Sequence, residues 1–303
     1  MAPMPMTPPS ADGVEIWYTT DGDQTSGEPL QLVMGLGAQH LLWDDGLVEL
    51  LVERGFFVIR HDNRDVGLSS KAAVGDLPLL DRLLTAMGGE AVEAPYYLRD
   101  MAADAVAVLD DLGLDSAHVV GASMGGMIGQ TMAIEQPERV RSLTSIMSTT
   151  GALDVGQPEA AVLPMLLLTP PQTRDEALVR GATISMAIGS PGLVDEALVR
   201  ERTGRAWDRC AYPEGTGHQL LAIVASGDRT PALTQLDVPT SVIHGDVDPL
   251  VAVSGGRATA EAIPGAALRI IEGMGHDLPP VFWPILVEEV CAVAERAGTP
   301  VAG

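Results

Sequence analysis

"AHVVGASMGGMIGQ", residues 117–130, is the stretch that decides the fold of this chain. Its first residues have strand character, its last residues have helix character, and Ser123 stands between them with a glycine at positions 121 and 125. Two interpretations are open. Glycines at such a turn let a helix pack closely against a sheet, or they flank a serine nucleophile on a tight strand-to-helix turn. The rest of the chain has to discriminate between them.

The composition indicates a folded protein and excludes some partners. The chain has 303 residues, of which 46% are hydrophobic and 19% charged. This is enough apolar material for a sizeable core and argues against disorder. The net charge of −23 repels phosphate backbones and anionic lipids. We therefore expect no nucleic-acid partner.

The spacing of the cysteines and the length of the apolar runs indicate the cellular compartment and whether a metal site or a membrane span is expected. Cys210 and Cys291 lie far apart, without the paired spacing of a disulfide framework or a zinc site. The first residues lack the pattern of a signal peptide. No apolar run approaches the ~20 residues that a membrane-spanning helix needs. The sequence predicts a cytoplasmic protein with no transmembrane segment, no metal and no cofactor.

Strands and helices alternate along most of the chain. Helical spacing of apolar residues marks 97–113, and a second helical stretch, 125–140, stops at Pro137. Alternation of this kind predicts a doubly wound, mostly parallel sheet in an α/β fold. Such sheets carry their sites beyond the carboxyl ends of the strands. The predicted strands are 14–19, 30–35, 56–62, 117–122, 142–148, 239–245 and 268–273.

The alternation fails between residues 151 and 232. That region is rich in Leu, Met and Ala and contains helical patterns but no convincing strand. We interpret it as a mostly helical cap, inserted between two strands of a core formed by residues 1–150 and 233–303. A second, smaller insertion is predicted at about 71–96.

A serine hydroxyl needs a base, and the chain supplies one in the required order. His276 follows the last predicted strand, and Asp248 follows the strand before it. Both should emerge at the same edge of the sheet as Ser123, in the chain order Ser, Asp, His. Asp246 is the alternative acid, and a histidine in a loop can also be an ordinary surface residue.

Acyl transfer also needs donors for an oxyanion. The backbone N–H of Met124, directly after the serine, is one candidate. The N–H of Leu36 is the second, because Gly35 and Gly37 would let this loop approach the serine closely. The alternative is an ordinary turn at the end of a strand.

Five motifs in order resemble the α/β-hydrolase superfamily. They are "MGLG", "HDNRDVGLSS", "VVGASMGG", "HGDVDPLV" and "GMGHDLP", and the resemblance spans about residues 13–295. Within it, the chain is most similar to the aclacinomycin methylesterase-like and actinobacterial lipase-esterase branch. The resemblance implies serine-dependent ester hydrolysis, with Ser123 as nucleophile, His276 as base and Asp248 as its orienting acid. Leu36 and Met124 would match the oxyanion positions.

The chain departs from the superfamily pattern at two places. Many relatives have His-Gly where Met34 and Gly35 stand, and many have Arg-Gly where Arg64 and Asp65 stand. Neither departure touches the three proposed catalytic residues. We expect Asp62, Arg64 and Ser69 to form a structural, hydrogen-bonded turn.

The substrate is predicted only as a class, a small-molecule ester of apolar or natural-product-like character. Gly35, Trp43, Met165 and Met186 are candidate pocket residues, although Leu and Met stripes on helices more often form core. A C–C bond hydrolase, thioesterase, acyltransferase or perhydrolase could use the same three residues. A non-catalytic ligand receptor is the alternative from a different class. A homodimer is possible, but no sequence feature is specific for one.

Overall fold

One seven-stranded sheet organises the protein in the computed structural model, which describes residues 5–10, 12–74, 78–166 and 169–298. The strands of this described part are β1 (Tyr18–Asp21), β2 (Glu28–Val33), β3 (Phe56–His61), β4 (Ala117–Ala122), β5 (Val140–Ile146), β6 (Thr240–Gly245) and β7 (Ala267–Ile271). Their spatial order is β1-β3-β2-β4-β5-β6-β7. The β1–β3 pair is antiparallel and the other five pairs are parallel. This confirms the predicted fold class.

Helices cover both faces of the sheet. They are α1 (Asp45–Glu53), α2 (Leu79–Met87), α3 (Leu98–Asp111), α4 (Met124–Glu135), α5 (Leu163–Leu166), α6 (Arg174–Ile188), α7 (Glu196–Arg209), α8 (Gly215–Ser226), α9 (Thr230–Leu233), α10 (Val253–Ala262) and α11 (Trp283–Arg296). Short 3-10 turns occupy His40–Leu42, Pro137–Arg139 and Pro280–Phe282. Every residue of β3, β4 and β6 is buried, as expected for strands covered on both faces.

The core has one apolar layer on each side of the sheet. One cluster packs residues of β2 against α1 and α11, and includes Leu32, Leu47 and Val290. The other packs the opposite side of the sheet against α3 and α4, and includes Met101, Ile128 and Leu143. The central parallel strands are therefore held between two helical layers, and their carboxyl ends are fixed in relation to one another.

The first strand begins later than its sequence predicts. Residues 14–19 were expected to form a strand, but β1 starts at Tyr18. The N–H of Ile16 donates to the Thr7 hydroxyl, and the N–H of Trp17 donates to the Ser69 hydroxyl. Two side-chain hydroxyls thus take the donors that a regular strand ladder would use.

Helices α5 to α9 lie between β5 and β6 in the chain; α5 to α8 fall within the range predicted to be a cap, and α9 extends one residue beyond it. Over the described residues of 151–232 the regular elements are all helical. Helices α6 and α7 pack against each other, and α8 packs against α2 and α3. The division into core and cap at residues 151 and 232 stays a prediction. Across the ranges that the structure describes, no helix combines the length and the apolar character needed to span a bilayer.

Candidate active site

Ser123 lies on a strained turn between β4 and α4. Its φ of 56° and ψ of −120° put it in a region that residues with a side chain rarely occupy. The turn is fixed by hydrogen bonds on both sides, because the N–H of Ser123 donates to the carbonyl of Ile146 (2.8 Å) and its carbonyl accepts from the N–H of Gly126 (2.9 Å). The Ser148 hydroxyl donates to the same carbonyl at 2.8 Å. The serine is therefore held in one orientation at the sheet edge.

The glycines of the motif are required by contact. A Cβ at Gly121 would lie 2.1 Å from the carbonyl oxygen of Gly125. A Cβ at Gly125 would lie 1.9 Å from the carbonyl oxygen of Val33. Both distances are far below van der Waals contact, so α4 can sit on the ends of β2 and β4 only with glycine at these positions. The packing interpretation and the nucleophile interpretation of the motif are both compatible with this geometry.

His276 lies in the loop that follows β7 and joins the serine to a carboxylate. Its Nε2 is 3.0 Å from the Oγ of Ser123, and its Nδ1 is 2.7 Å from Oδ2 of Asp248. Both distances are within hydrogen-bond reach, which is the geometry of a nucleophile, its base and the group that orients the base. The three side chains predicted from the sequence are brought together.

Asp248 is buried and its carboxylate is fully engaged. Oδ1 accepts from the N–H groups of Leu250 and Val251, both at 2.9 Å. Burial alone would raise the pKa of Asp248. The charge of His276 and hydrogen bonds from His244, His276 and the Val251 N–H together hold that pKa well below its usual range. This carboxylate is therefore ionised at neutral pH.

Asp246, the alternative acid, points elsewhere. It is exposed, and its Oδ1 accepts from the N–H of Gly273 at 2.7 Å. It stabilises the turn after β6, whereas Asp248 contacts the histidine. His244 was not singled out for the site, yet its Nε2 lies 3.5 Å from Oδ2 of Asp248 and 2.7 Å from the carbonyl of Val251. The spacing of four residues between His244 and Asp248 was the signal available in the sequence.

The loop after β2 lies directly against the serine. A Cβ at Gly35 would lie 3.1 Å from the Cβ of Ser123, which shows how closely the two backbones approach. In this loop the N–H of Gly37 donates to Oε1 of Gln219 (2.7 Å) and that of Ala38 to the carbonyl of Gly35 (3.3 Å). The N–H of Leu36 has no acceptor among the residues that the structure describes. Met124 is the first residue of α4, so its N–H has no acceptor within the helix.

The candidate pocket residues have different environments. Trp43 is 1% exposed and belongs to the core cluster of α1 and α11. Met186 is 57% exposed on α6, and Met165 is half-buried on α5. A substrate pocket formed by these side chains and Gly35 stays a prediction.

The "HDNRDVGLSS" turn forms the predicted network of structural hydrogen bonds. Asp62 accepts from the ring and the backbone N–H of His40 and from the guanidinium of Arg209. Asp65 stands where many relatives have glycine, and its φ is 69°. Its carboxylate accepts from the Tyr96 hydroxyl (2.7 Å) and lies 2.9 Å from Nδ1 of His218. These contacts hold an aspartate in a backbone conformation that favours glycine.

A metal centre finds no support in the described ranges. Over residues 5–10, 12–74, 78–166 and 169–298, no group of three or more His, Cys, Asp or Glu side chains is arranged to hold a metal ion.

Comparison with known proteins identifies the fold family. Residues 28–280 match the model of the alpha/beta hydrolase fold family. The chain is 32% identical over 318 aligned residues to a rhodomycin D methylesterase of Streptomyces peucetius, and the match covers 97% of this chain and 99% of that protein.

Solved structures share the same architecture. A bromoperoxidase from Bacillus anthracis superimposes with a TM-score of 0.75 at 22% identity, over 96% of this chain and 99% of that one. The esterase RhEst1 from Rhodococcus sp. ECU1013 gives a TM-score of 0.72 at 20% identity, over 98% of each chain. At these identities the likeness is one of fold.

Proposed function

The chain belongs to the α/β-hydrolase fold family, and from this premise we propose that it is a carboxylic ester hydrolase that works through an acyl-enzyme on Ser123. One observation carries the proposal, the continuous hydrogen-bonded chain from Ser123 through His276 to Asp248. A binding protein would have no use for a base 3.0 Å from a strained serine.

Acylation begins with proton transfer from the serine. Nε2 of His276 takes the proton of the Ser123 hydroxyl as its Oγ attacks the ester carbonyl carbon. The imidazolium that forms is stabilised by ionised Asp248, whose own proton affinity is too low for it to take the proton. The tetrahedral intermediate then collapses, the C–O bond of the ester breaks, and His276 returns the proton to the departing alcohol.

Deacylation reverses these roles with water. The same imidazole takes a proton from water, whose oxygen attacks the acyl carbon. The serine leaves with the proton of His276, and the carboxylic acid is released. In both steps the N–H groups of Leu36 and Met124 are the proposed donors to the oxyanion. Removal of one such donor typically costs ~2.7–4 kcal/mol of barrier.

We assign residues 151–232 to a cap that selects the substrate. Its described helices lie between β5 and β6 in the chain, and Asp248 follows the carboxyl end of β6. The cap segments 162–171 and 184–189 are apolar in sequence, although residues 167 and 168 lie outside the described ranges. Together with the likeness to a rhodomycin D methylesterase, this supports a neutral, apolar, natural-product-like ester as substrate.

Hydrolysis of p-nitrophenyl esters from acetate to dodecanoate, together with a methyl ester of a polycyclic aromatic acid, tests the proposal. Ser123→Ala should abolish turnover of every ester that the wild type cleaves. Ser10→Ala is the control, because this exposed hydroxyl accepts only from the N–H of Val14 near the start of the chain. It should retain wild-type rates.

Two results would contradict the proposal. Turnover that survives in Ser123→Ala would exclude the serine mechanism. A wild-type protein that is not labelled at Ser123 by a fluorophosphonate, and that hydrolyses none of these esters, would support the alternative of a non-catalytic ligand receptor. The chain-length optimum of the wild type measures the acyl pocket.

A further inference from the structure

The C-terminal end of helix α6 is fastened to the loop that carries His276. Ser190, two residues beyond α6, is fully buried. Its hydroxyl donates to Oδ1 of Asp277 (2.5 Å) and accepts from the N–H of Gly275 (2.9 Å). Its N–H donates to the same Oδ1 at 3.0 Å. Ser190 therefore contacts the residue before His276 and the residue after it.

A fourth hydrogen bond holds the histidine itself. The N–H of His276 donates to the carbonyl of Ile188, the last residue of α6, at 2.7 Å. The two backbones are in contact here, since a Cβ at Gly275 would lie 2.5 Å from the carbonyl carbon of Gly189. The loop is anchored to the core one residue earlier, where the carbonyl of Met274 accepts from the N–H of Val247 (3.3 Å). The N–H groups of Gly275 and His276 and the carboxylate of Asp277 all bond to residues 188–190 at the end of α6.

A structural explanation accounts for only part of this arrangement. The last carbonyls of any helix lack intrahelical donors, so a bond to Ile188 alone could serve to end α6. It does not explain why a buried hydroxyl bonds to both sequence neighbours of the histidine. A misplacement of about 1 Å can lower the rate ~100-fold, so the orientation of a catalytic base must be fixed closely.

We propose that Ser190, together with Asp277, is a positioning residue that sets His276 against Ser123, so that the end of α6 is a fixed part of the active site. The inference rests on the proposed function. It follows that substrate does not enter by a displacement of α6 at residues 188–190, because such a displacement would move the base.

The test compares hydroxyl and carboxylate variants at the two positions. Ser190→Ala removes the two bonds of the hydroxyl, to Asp277 and from Gly275, and Asp277→Ala removes both bonds that its carboxylate accepts from Ser190. Asp277→Asn keeps an Oδ1 that can accept from Ser190. Thr183→Ala is the matched control, because the Thr183 hydroxyl lies on α6 and bonds only to the carbonyl of Val179 within that helix. The measurements are kcat, KM, the rate of fluorophosphonate labelling, and the low-field NMR resonance of the His276 Nδ1 proton.

Positioning predicts a specific pattern of losses. Ser190→Ala and Asp277→Ala should lower kcat and the labelling rate about 10- to 100-fold with KM within about 2-fold, and should shift or broaden the Nδ1 resonance. Asp277→Asn should restore most of the rate, and Thr183→Ala should match the wild type. Because Asn is nearly isosteric with Asp, the Asn variant keeps the proposal testable if an Ala variant does not fold.

The results that overturn the inference are distinct from those that overturn the function. If Ser190→Ala had the kcat, labelling rate and Nδ1 resonance of the wild type but a lower melting temperature, Ser190 would only stabilise the end of α6. If Asp277→Asn had a kcat as low as that of Asp277→Ala, the hydrogen bonds to Ser190 would be excluded as the cause of the lower rate. A wild-type protein without turnover or labelling would overturn the proposed function, and this inference with it.

Discussion

At the scale of single residues, substitution of Asp248 tests whether this carboxylate is the acid that orients His276. Asp248→Asn keeps the volume and the acceptor for Leu250, but it removes the negative charge and can place an N–H against Nδ1 of His276, which favours the wrong imidazole tautomer. The loss of such an aspartate lowers kcat about 10,000-fold in a comparable triad. Asp246→Asn is the matched control, because Asp246 is exposed and bonds only to the N–H of Gly273. We expect the control to stay within about 2-fold of the wild type, since it changes a surface turn. Steady-state kinetics give kcat for both variants. If Asp246→Asn lowered kcat as much as Asp248→Asn, Asp248 would be excluded as the specific acid.

Asp65 gives a pH-dependent contribution to stability at the same scale. Burial alone would raise its pKa, but hydrogen bonds from His218, Tyr96 and the N–H of Ala72 hold the pKa below its usual range. A carboxylate whose folded pKa is depressed stabilises the protein fully above its unfolded pKa of about 3.9, and the stabilisation is lost as pH falls through the folded pKa. The free energy of unfolding of wild type should therefore exceed that of Asp65→Asn at pH 6, and the gap should narrow below about pH 4. Urea unfolding at a series of pH values measures the gap. A gap that widens in acid would show that the carboxylate is stabilised less in the folded state than in the unfolded one.

At the scale of elements, the half-buried Arg209 is one of the contacts that hold α7 to the core. Arg209 donates to Oδ2 of Asp62 (2.6 Å) and to Oε1 of Gln39 (2.7 Å), and its guanidinium lies over the ring of Trp17. Arg209→Met would remove one charge-assisted hydrogen bond from the buried carboxylate of Asp62, which keeps those from His40 and the N–H of Leu68, and such a bond contributes ~1.5–3 kcal/mol. We expect a loss of this size in the free energy of unfolding and faster proteolysis within residues 151–232.

The control for this prediction lies on the same helix. Arg200 pairs with Glu196 at the exposed i,i+4 spacing. Arg200→Met should change the stability by no more than ~0.5 kcal/mol, because exposed helical pairs contribute little. If the two substitutions lowered the free energy of unfolding equally in urea, the contact of Arg209 with Asp62 would contribute no more to stability than an exposed pair within the helix.

The same scale shows what the sequence could and could not predict. Strand β4 was predicted residue for residue, because Val119 and Val120 favour a strand and the glycine at position 121 marks its end before the helix. The side chains of Ser123, Asp248 and His276 were predicted to meet, because parallel strands bring their carboxyl ends to one edge. The predicted start of β1 at residue 14 was wrong, because the N–H groups of Ile16 and Trp17 donate to the hydroxyls of Thr7 and Ser69. The attachment of Ser190 to the histidine loop has no local pattern, since its partners lie more than 80 residues away.

At the scale of the whole molecule, the net charge of −23 should act on charged substrates before they reach the serine. Seven of the 18 basic residues lie between residues 151 and 232, so a local positive field near the site is the competing possibility. Three arginines of α7 are, however, paired with carboxylates: Arg200 with Glu196, Arg202 with Asp44 and Arg209 with Asp62. The overall negative field should therefore dominate.

Three butyrate esters that differ mainly in the charge of the alcohol test this expectation: choline, its neutral isostere 3,3-dimethylbutanol, and 2-sulfoethanol. The Debye length falls from ~30 Å at 0.01 M to ~8 Å at 0.15 M salt, so added NaCl removes most of the long-range field. The ratio of kcat/KM for the cationic ester to that for the neutral ester should fall with salt, and the corresponding ratio for the anionic ester should rise. Each should change by several-fold, somewhat less than the ~10–1,000-fold effects of strong electrostatic steering. The neutral ester itself should change little. The opposite order at low salt would show that the arginines of residues 151–232 control the field at the entrance, and the site would then favour anionic esters despite the acidity of the protein.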